Sequence, residues 1–208
     1  MEVIESPLKK NLRELVSFVK TIIIFIGVAL LLRAVVIEAF KIPSGSMKPT
    51  LQIGDHILVT KLSYGLRNPF GLGYLFRWSS PQRGDIVVFT RPDEVQTPRE
   101  DESAVNIIKR VVGLPGDEIE VRETTVYING AALEEPYARY VLGGISQGDF
   151  PKTKIPEDHV FLMGDNRDES RDSRFWEYHF LDQNRIKGRA QLIYFSFDSL
   201  TRIGSMIR

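Results

Sequence analysis

From Val16 to Ile37 the chain is apolar apart from Ser17, Lys20, Thr21 and Arg33, and no other stretch restricts the fold as strongly. As a helix it would reach roughly 33 Å, close to the thickness of a hydrocarbon core. Lys20 and Arg33 lie toward opposite ends, where long cationic side chains reach back to the headgroups. The run Ile22–Leu32 alone would be too short. A buried core helix and a cleaved leader compete with the membrane reading. A leader should end in a small-x-small cleavage site, whereas Arg33 and Glu38 follow here. The expectation is therefore an uncleaved, single-pass anchor over 16–40 behind a short tail, 1–15. Lys9, Lys10, Arg13 and Lys20 come early, and only Lys41 and Lys48 follow closely. That bias places the amino terminus in the cytoplasm and residues 41–208 outside.

A chain of 208 residues leaves room beyond the anchor for one domain with a core of its own. Acidic and basic residues balance at 27 each, so no electrostatic footprint for nucleic acid exists, and none is expected as a partner. The absence of cysteine excludes disulfides, thiolate zinc sites and a cysteine nucleophile. His56, His159 and His179 fall in no metal-ligand spacing, so neither a metal nor another cofactor is expected.

After the apolar run, short β-prone segments bounded by turn residues dominate. They are His56–Leu62, Asp85–Thr90, Val105–Val112, Glu118–Arg122, Thr125–Ile128, His159–Met163 and Arg189–Phe197. Asn129-Gly130 is a strong two-residue hairpin signal, because both turn positions need positive φ. Regular strands without intervening helices predict a mostly β domain, an antiparallel β-sandwich or partly closed barrel. Arg91–Ser103 reads as a solvated loop. Few regular signals occur over Glu134–Asp158, so an insertion or long loops are expected within about 123–158.

Three segments could carry chemistry. The first is Ile42-Pro43-Ser44-Gly45-Ser46-Met47-Lys48-Pro49, where prolines stiffen the backbone around Gly45 and could present a hydroxyl; an ordinary linker is the bland alternative. The second is Lys109. Strand alternation puts it on one face with Val105, Ile107 and Val111, and burial there would lower its pKa toward that of a usable base. A snorkelling edge-strand lysine is the alternative. The third is the polar loop Gly164–Arg174, which fails the EF-hand pattern because Ser170 stands where Gly belongs and Trp176 where Glu belongs. Its alternating acids and arginines suggest a salt-bridged shell or a solvated loop.

Together these segments resemble the type I signal peptidase family. P-S-G-S-M-x-P-T-L, G-D-I-V-V-F, I-K-R-V-V-G-L-P-G-D and G-D-N-R-D-x-S-x-D-S-R all occur, in a compatible order, over roughly Val16 to Asp198. The resemblance implies a serine endopeptidase in the cytoplasmic (inner) membrane. Its substrates would be preproteins, cut after signal peptides at Ala-x-Ala sites, beside membrane lipid and near the translocation machinery. It implies Ser46 as nucleophile and Lys109 as general base, with an oxyanion hole from the Ser46 N–H and the Ser44 hydroxyl. Ser170 would hydrogen-bond the lysine amine, with Asp172 and Arg174 as a supporting ion pair behind the site and Asp165 beside them. Phe40, Ile42, Pro43, Leu51 and Ile107 would line shallow apolar subsites. Leu66–Trp78, rich in aromatic and aliphatic side chains between Arg67 and Arg77, is expected to dip into the outer leaflet. An anchored, inactive binding domain and a Ser–Lys protease with regulatory targets are the rival readings.

Overall fold

The computed structural model describes residues 7–68, 73–90, 106–140 and 148–208, and gives no side-chain account of residues 7–10, 12, 31, 33 and 34. Phe70, Leu72, Val105 and the loop Arg91–Ser103 lie outside that set. Helix α1 (Pro7–Val35) presents exposed apolar side chains along most of its described length, from Leu15 and Phe18 to Phe25 and Leu32. Among the described residues no helix is long and apolar enough to cross a membrane. The helix expected over 16–40 stops at Val35, because after a turn at Val36 the chain forms strand β1 (Ile37–Lys41), whose backbone pairs with β2 (His56–Thr60).

The rest is antiparallel β, as expected. After β2 come a short hairpin, β3 (Gly65–Arg67) and β4 (Tyr74–Arg77), and then β5 (Ile86–Thr90) and β6 (Asn106–Gly113). A second hairpin region holds β7 (Glu118–Arg122), β8 (Thr125–Ile128), β9 (Ala131–Ala132) and β10 (Phe150–Lys154). The chain finishes with β11 (His159–Met163), β12 (Leu181–Asp182) and β13 (Ile186–Phe195). Seven strands form one sheet in the order β1-β2-β13-β5-β6-β11-β12, and four form another, β10-β7-β8-β9. The large sheet is not a closed barrel: β1 and the two-residue β12 are its unpaired edges. Asn129 and Gly130 make the β8–β9 turn with φ of 52° and 82°, as their sequence demands. The stretch expected to be an insertion contributes β10, an edge strand that tolerates Pro151 because an edge residue needs no partner for its missing N–H.

Burial explains the centre of the large sheet. β5 reads Ile-Val-Val-Phe without polar alternation because both of its faces are covered. Ile86 and Val88 enter one core with Ile42, Met47 and Leu51, while Val87 and Phe89 enter another with Val160, Leu162 and Trp176. The third core fills the space between the two sheets' neighbouring strands, from Val112 and Phe161 to Ile119 and Val126. Each such aliphatic side chain contributes roughly 1.5–3 kcal/mol on burial. β5 and β6 are thereby rigid supports for the residues between them.

Candidate active site

Ser46 stands on the turn that follows β1. That turn is held by its own neighbours: Ile42, Met47 and Leu51 are all sunk in the first core, and Leu51 N–H donates to Met47 O at 2.9 Å. Lys109 projects from the middle of β6, opposite Val87 of β5. The amine is 4% exposed, and Nζ lies 2.7 Å from Ser46 Oγ. Burial is the largest influence on it and brings its pKa down to about 8; Asp172 and Asp165 pull the other way, and Arg174 adds to the lowering. As an ammonium it donates to Oγ, whereas the neutral amine accepts the Oγ–H. The second arrangement is a nucleophile in contact with its base, within the distance proton transfer needs.

The acid–arginine loop that follows β11 is buried rather than solvated. Asp172 accepts from Gly164 N–H at 3.0 Å and from Arg174 Nε at 2.9 Å, and Arg174 Nη2 donates to Arg167 O at 2.8 Å. Asp165 faces a different partner, the guanidinium of Arg110, which grips it with Nε at 2.8 Å and Nη2 at 2.7 Å. Thr50 of the nucleophile turn donates to the same carboxylate at 2.5 Å. The loop also bonds directly to that turn: Asn166 N–H donates to Ser46 O at 3.1 Å, and Asn166 Nδ2 to Gly45 O at 3.1 Å. Gly164 is required by close approach, since a Cβ there would sit 2.4 Å from Ser46 O and 2.2 Å from Ser170 Oγ. The loop is thus a clamp on the Ser46 backbone.

Arg110 and Asn166 were not among the residues expected to serve the site. Asn166 lies inside the quoted loop motif, and Arg110 directly follows Lys109, so proximity in sequence was the available signal. Ser44 is exposed, with Oγ 3.5 Å from Ser46 Oγ. Ser170 is buried beside Gly164, but among the described residues its Oγ has no hydrogen-bond partner, so the expected bond to the Lys109 amine is not made in this arrangement. Of the five pocket residues, Phe40, Ile42 and Leu51 share one apolar cluster with Met47 and Ile108, and Pro43 is exposed. Ile107 packs against the second core instead, because successive residues of a strand face opposite ways, and Ile108 takes the expected place. Ile42 and Leu51 are almost wholly buried, which leaves half-buried Phe40 and exposed Pro43 as the open apolar surface of the group. The histidines are engaged elsewhere: His179 Nδ1 with Ser173 O, His159 Nδ1 with Glu157 O, both at 2.8 Å, and His56 with the Tyr194 hydroxyl.

A serine hydroxyl in contact with a buried, low-pKa lysine amine on an open antiparallel sheet is the arrangement of Ser–Lys hydrolases. Residues 15–195 match the family described as signal peptidase, peptidase S26. The chain belongs to that family. It is 37% identical to the signal peptidase I of Pseudomonas aeruginosa over 78% of this chain and 63% of that one. It is also 35% identical to the signal peptidase I of Bacillus licheniformis over 95% of this chain and 97% of that one. A probable signal peptidase I-2 of Synechocystis sp. is 36% identical over 96% of this chain and 79% of that one. The chain thus spans less than two thirds of the length of the Pseudomonas relative and nearly all of the Bacillus one.

Proposed function

We propose that the chain is a membrane-anchored serine endopeptidase that cleaves signal peptides from exported preproteins at Ala-x-Ala sites, on the outer face of the cytoplasmic membrane. The observation that carries this reading is the 2.7 Å contact between Ser46 Oγ and a lysine amine whose pKa burial brings to about 8. At pH 7 roughly a tenth of such an amine is neutral, against about three parts in ten thousand at the ordinary value.

Neutral Nζ accepts the Ser46 proton while Oγ bonds to the scissile carbonyl carbon and the carbonyl π pair moves onto oxygen. The Ser46 N–H and the Ser44 hydroxyl are the donors offered to that oxyanion. The ammonium next gives its proton to the amine nitrogen as the C–N bond breaks, leaving an ester on Ser46. Water, deprotonated by Nζ, attacks the ester, and the serine oxygen recovers the proton. The apolar surface at Phe40 and Pro43 suits small side chains of the substrate.

Membrane attachment is supported by the apolar run Val16–Ile37 and by the exposed apolar flank of α1, which water would leave unsatisfied. The cationic residues that precede it favour a cytoplasmic amino terminus, and preproteins would then arrive from translocation machinery close by. Leu75, Phe76 and Trp78 are exposed on and just after β4, as a segment entering the outer leaflet requires. The test is cleavage of a preprotein by the full chain in detergent. Turnover in the wild type, lost in Ser46→Ala and in Lys109→Met, is the expected result; turnover surviving Lys109→Met removes the proposed base.

A further inference from the structure

Where α1 ends, three cations gather on a cavity of ≈ 560 Å³ that lies outside the dyad: Lys61, Arg67 and Lys187. Among the described residues, Glu38 is the single carboxylate on its wall, and it is paired with Lys61 Nζ at 3.0 Å. Three cations against one acid leave two positive charges in excess. Arg67 is fixed in place: Nη1 donates to Ile186 O, and its guanidinium lies 5.5 Å from the centre of the Tyr74 ring. Lys187 follows Ile186 directly and is half-buried. Burial lowers its pKa; Glu38 opposes this, and Arg67 and Lys61 add to it. Among the described residues, the ammonium thus meets two like charges and one carboxylate that is already paired with Lys61.

The rest of the wall is apolar. Val35, the last residue of α1, stands on one side and Leu66 and Leu75 on the other. Leu75 continues into the exposed side chains of Phe76 and Trp78. A cationic recess with one greasy margin, at the point where a membrane anchor would leave the bilayer, has the chemistry of a lipid headgroup site. We propose that this cavity holds the phosphate of an anionic phospholipid between Arg67 and Lys187, with the acyl chains against Leu66, Leu75 and the end of α1. The proposal rests on the anchored reading given above. Free phosphate would satisfy the same cations but leave the apolar margin unused, which is why the lipid is favoured.

The experiment is native mass spectrometry of the full chain released from detergent micelles. Dioleoylphosphatidylglycerol or dioleoylphosphatidylcholine is titrated in, and glycerol 3-phosphate is the soluble competitor. Preferential retention of phosphatidylglycerol is expected, weakened about fivefold in Lys187→Gln and restored in Lys187→Arg. Detergent-phase peptide cleavage should be unchanged in both variants, which shows that the domain remains folded. Equal retention of the two lipids, or Lys187→Gln binding like wild type, overturns the site. Full displacement by glycerol 3-phosphate at matched concentration also overturns it, in favour of a plain phosphate site. Carbonate-resistant association of the full chain with vesicles is scored in parallel. If that fails, the anchor falls and the lipid assignment with it; if it holds while the lipids are not distinguished, only the pocket is lost.

Discussion

Lys109 and Arg110 are neighbours on β6, almost equally buried, and strand alternation sends them to opposite faces. Arg110 is compensated on every side. Both oxygens of Asp165 receive it, Gly84 O accepts its Nη1 at 2.8 Å, and the Tyr137 ring lies 3.8 Å from its guanidinium carbon. Among the described residues, Lys109 meets a hydroxyl and no carboxylate within hydrogen-bond distance; Asp172 and Asp165 act on it from farther off. One cation is therefore matched by a bidentate carboxylate, while the other, its pKa lowered, is poised to lose its proton. The contrast teaches that burial alone does not make a base. What fits Lys109 to the role proposed for it is burial with the counter-charge withheld.

Removing each cation should have opposite consequences. Lys109→Met deletes the proton acceptor, and kcat/KM on a signal-peptide substrate should fall about 10²–10⁴-fold, the usual worth of a general base. Adding Ser46→Ala should lower it no further, because the two groups act as a unit. The fold should survive, since an apolar side chain of similar length fills the same dry space. Arg110→Met should instead unfold the domain more easily, by about 3–5 kcal/mol in urea titration, because it strands the Asp165 carboxylate, which is fully buried. Stability lost on Lys109→Met but not on Arg110→Met would reverse the comparison.

How much of this could be read from residue order follows from range. The apolar run, the Asn129-Gly130 turn and the all-apolar β5 depend on neighbours in sequence, and each was legible. Strand alternation around Lys109 implied an apolar setting for its amine, but its pairing with Ser46 came only from the family resemblance, since 63 residues separate the two. Sheet order was not legible, since β13 inserts between β2 and β5 from the far end of the chain. Nor was the partner of Asp165. The Asp172–Arg174 ion pair was expected from the resemblance and is present, whereas Asp165 serves Arg110, which depends on how β6 and β11 pair. The resemblance implied Ile107 for the apolar subsites, but that residue lies on Lys109's own face and meets the second core, whereas Ile108 joins the apolar group around Phe40.

The proton equilibrium sharpens the same contrast. The folded-state pKa of Lys109 lies near 8 and its ordinary value is 10.5, so between those values the unfolded chain binds more protons there. Stability contributed by this group is absent well below pH 8 and grows as pH rises toward 10.5, by about 3 kcal/mol in all. Other groups titrate in that window, so the quantity to measure is wild type minus Lys109→Met at each pH. That gap should favour the variant at pH 7 and narrow steadily up to pH 10.5. The acid limb of kcat/KM should have its midpoint near pH 8; a flat profile from pH 6 to pH 10 would contradict the role assigned to the amine.

Ser170 carries the smallest effect and separates resting structure from turnover. Its hydroxyl is buried without a partner, an arrangement that costs about 1–3 kcal/mol and persists only where something is gained later. The gain on offer comes when Lys109 takes the serine proton: the ammonium then has three N–H groups, and Ser46 Oγ can use only one. Ser170→Ala should therefore leave urea stability unchanged or raise it by about 1 kcal/mol. It should also lower kcat about tenfold, the worth of one hydrogen bond to a charged group, with little change in KM. A loss of stability without a loss of kcat would make Ser170 a packing residue, and would leave the support of the protonated amine to the charges of Asp172 and Asp165.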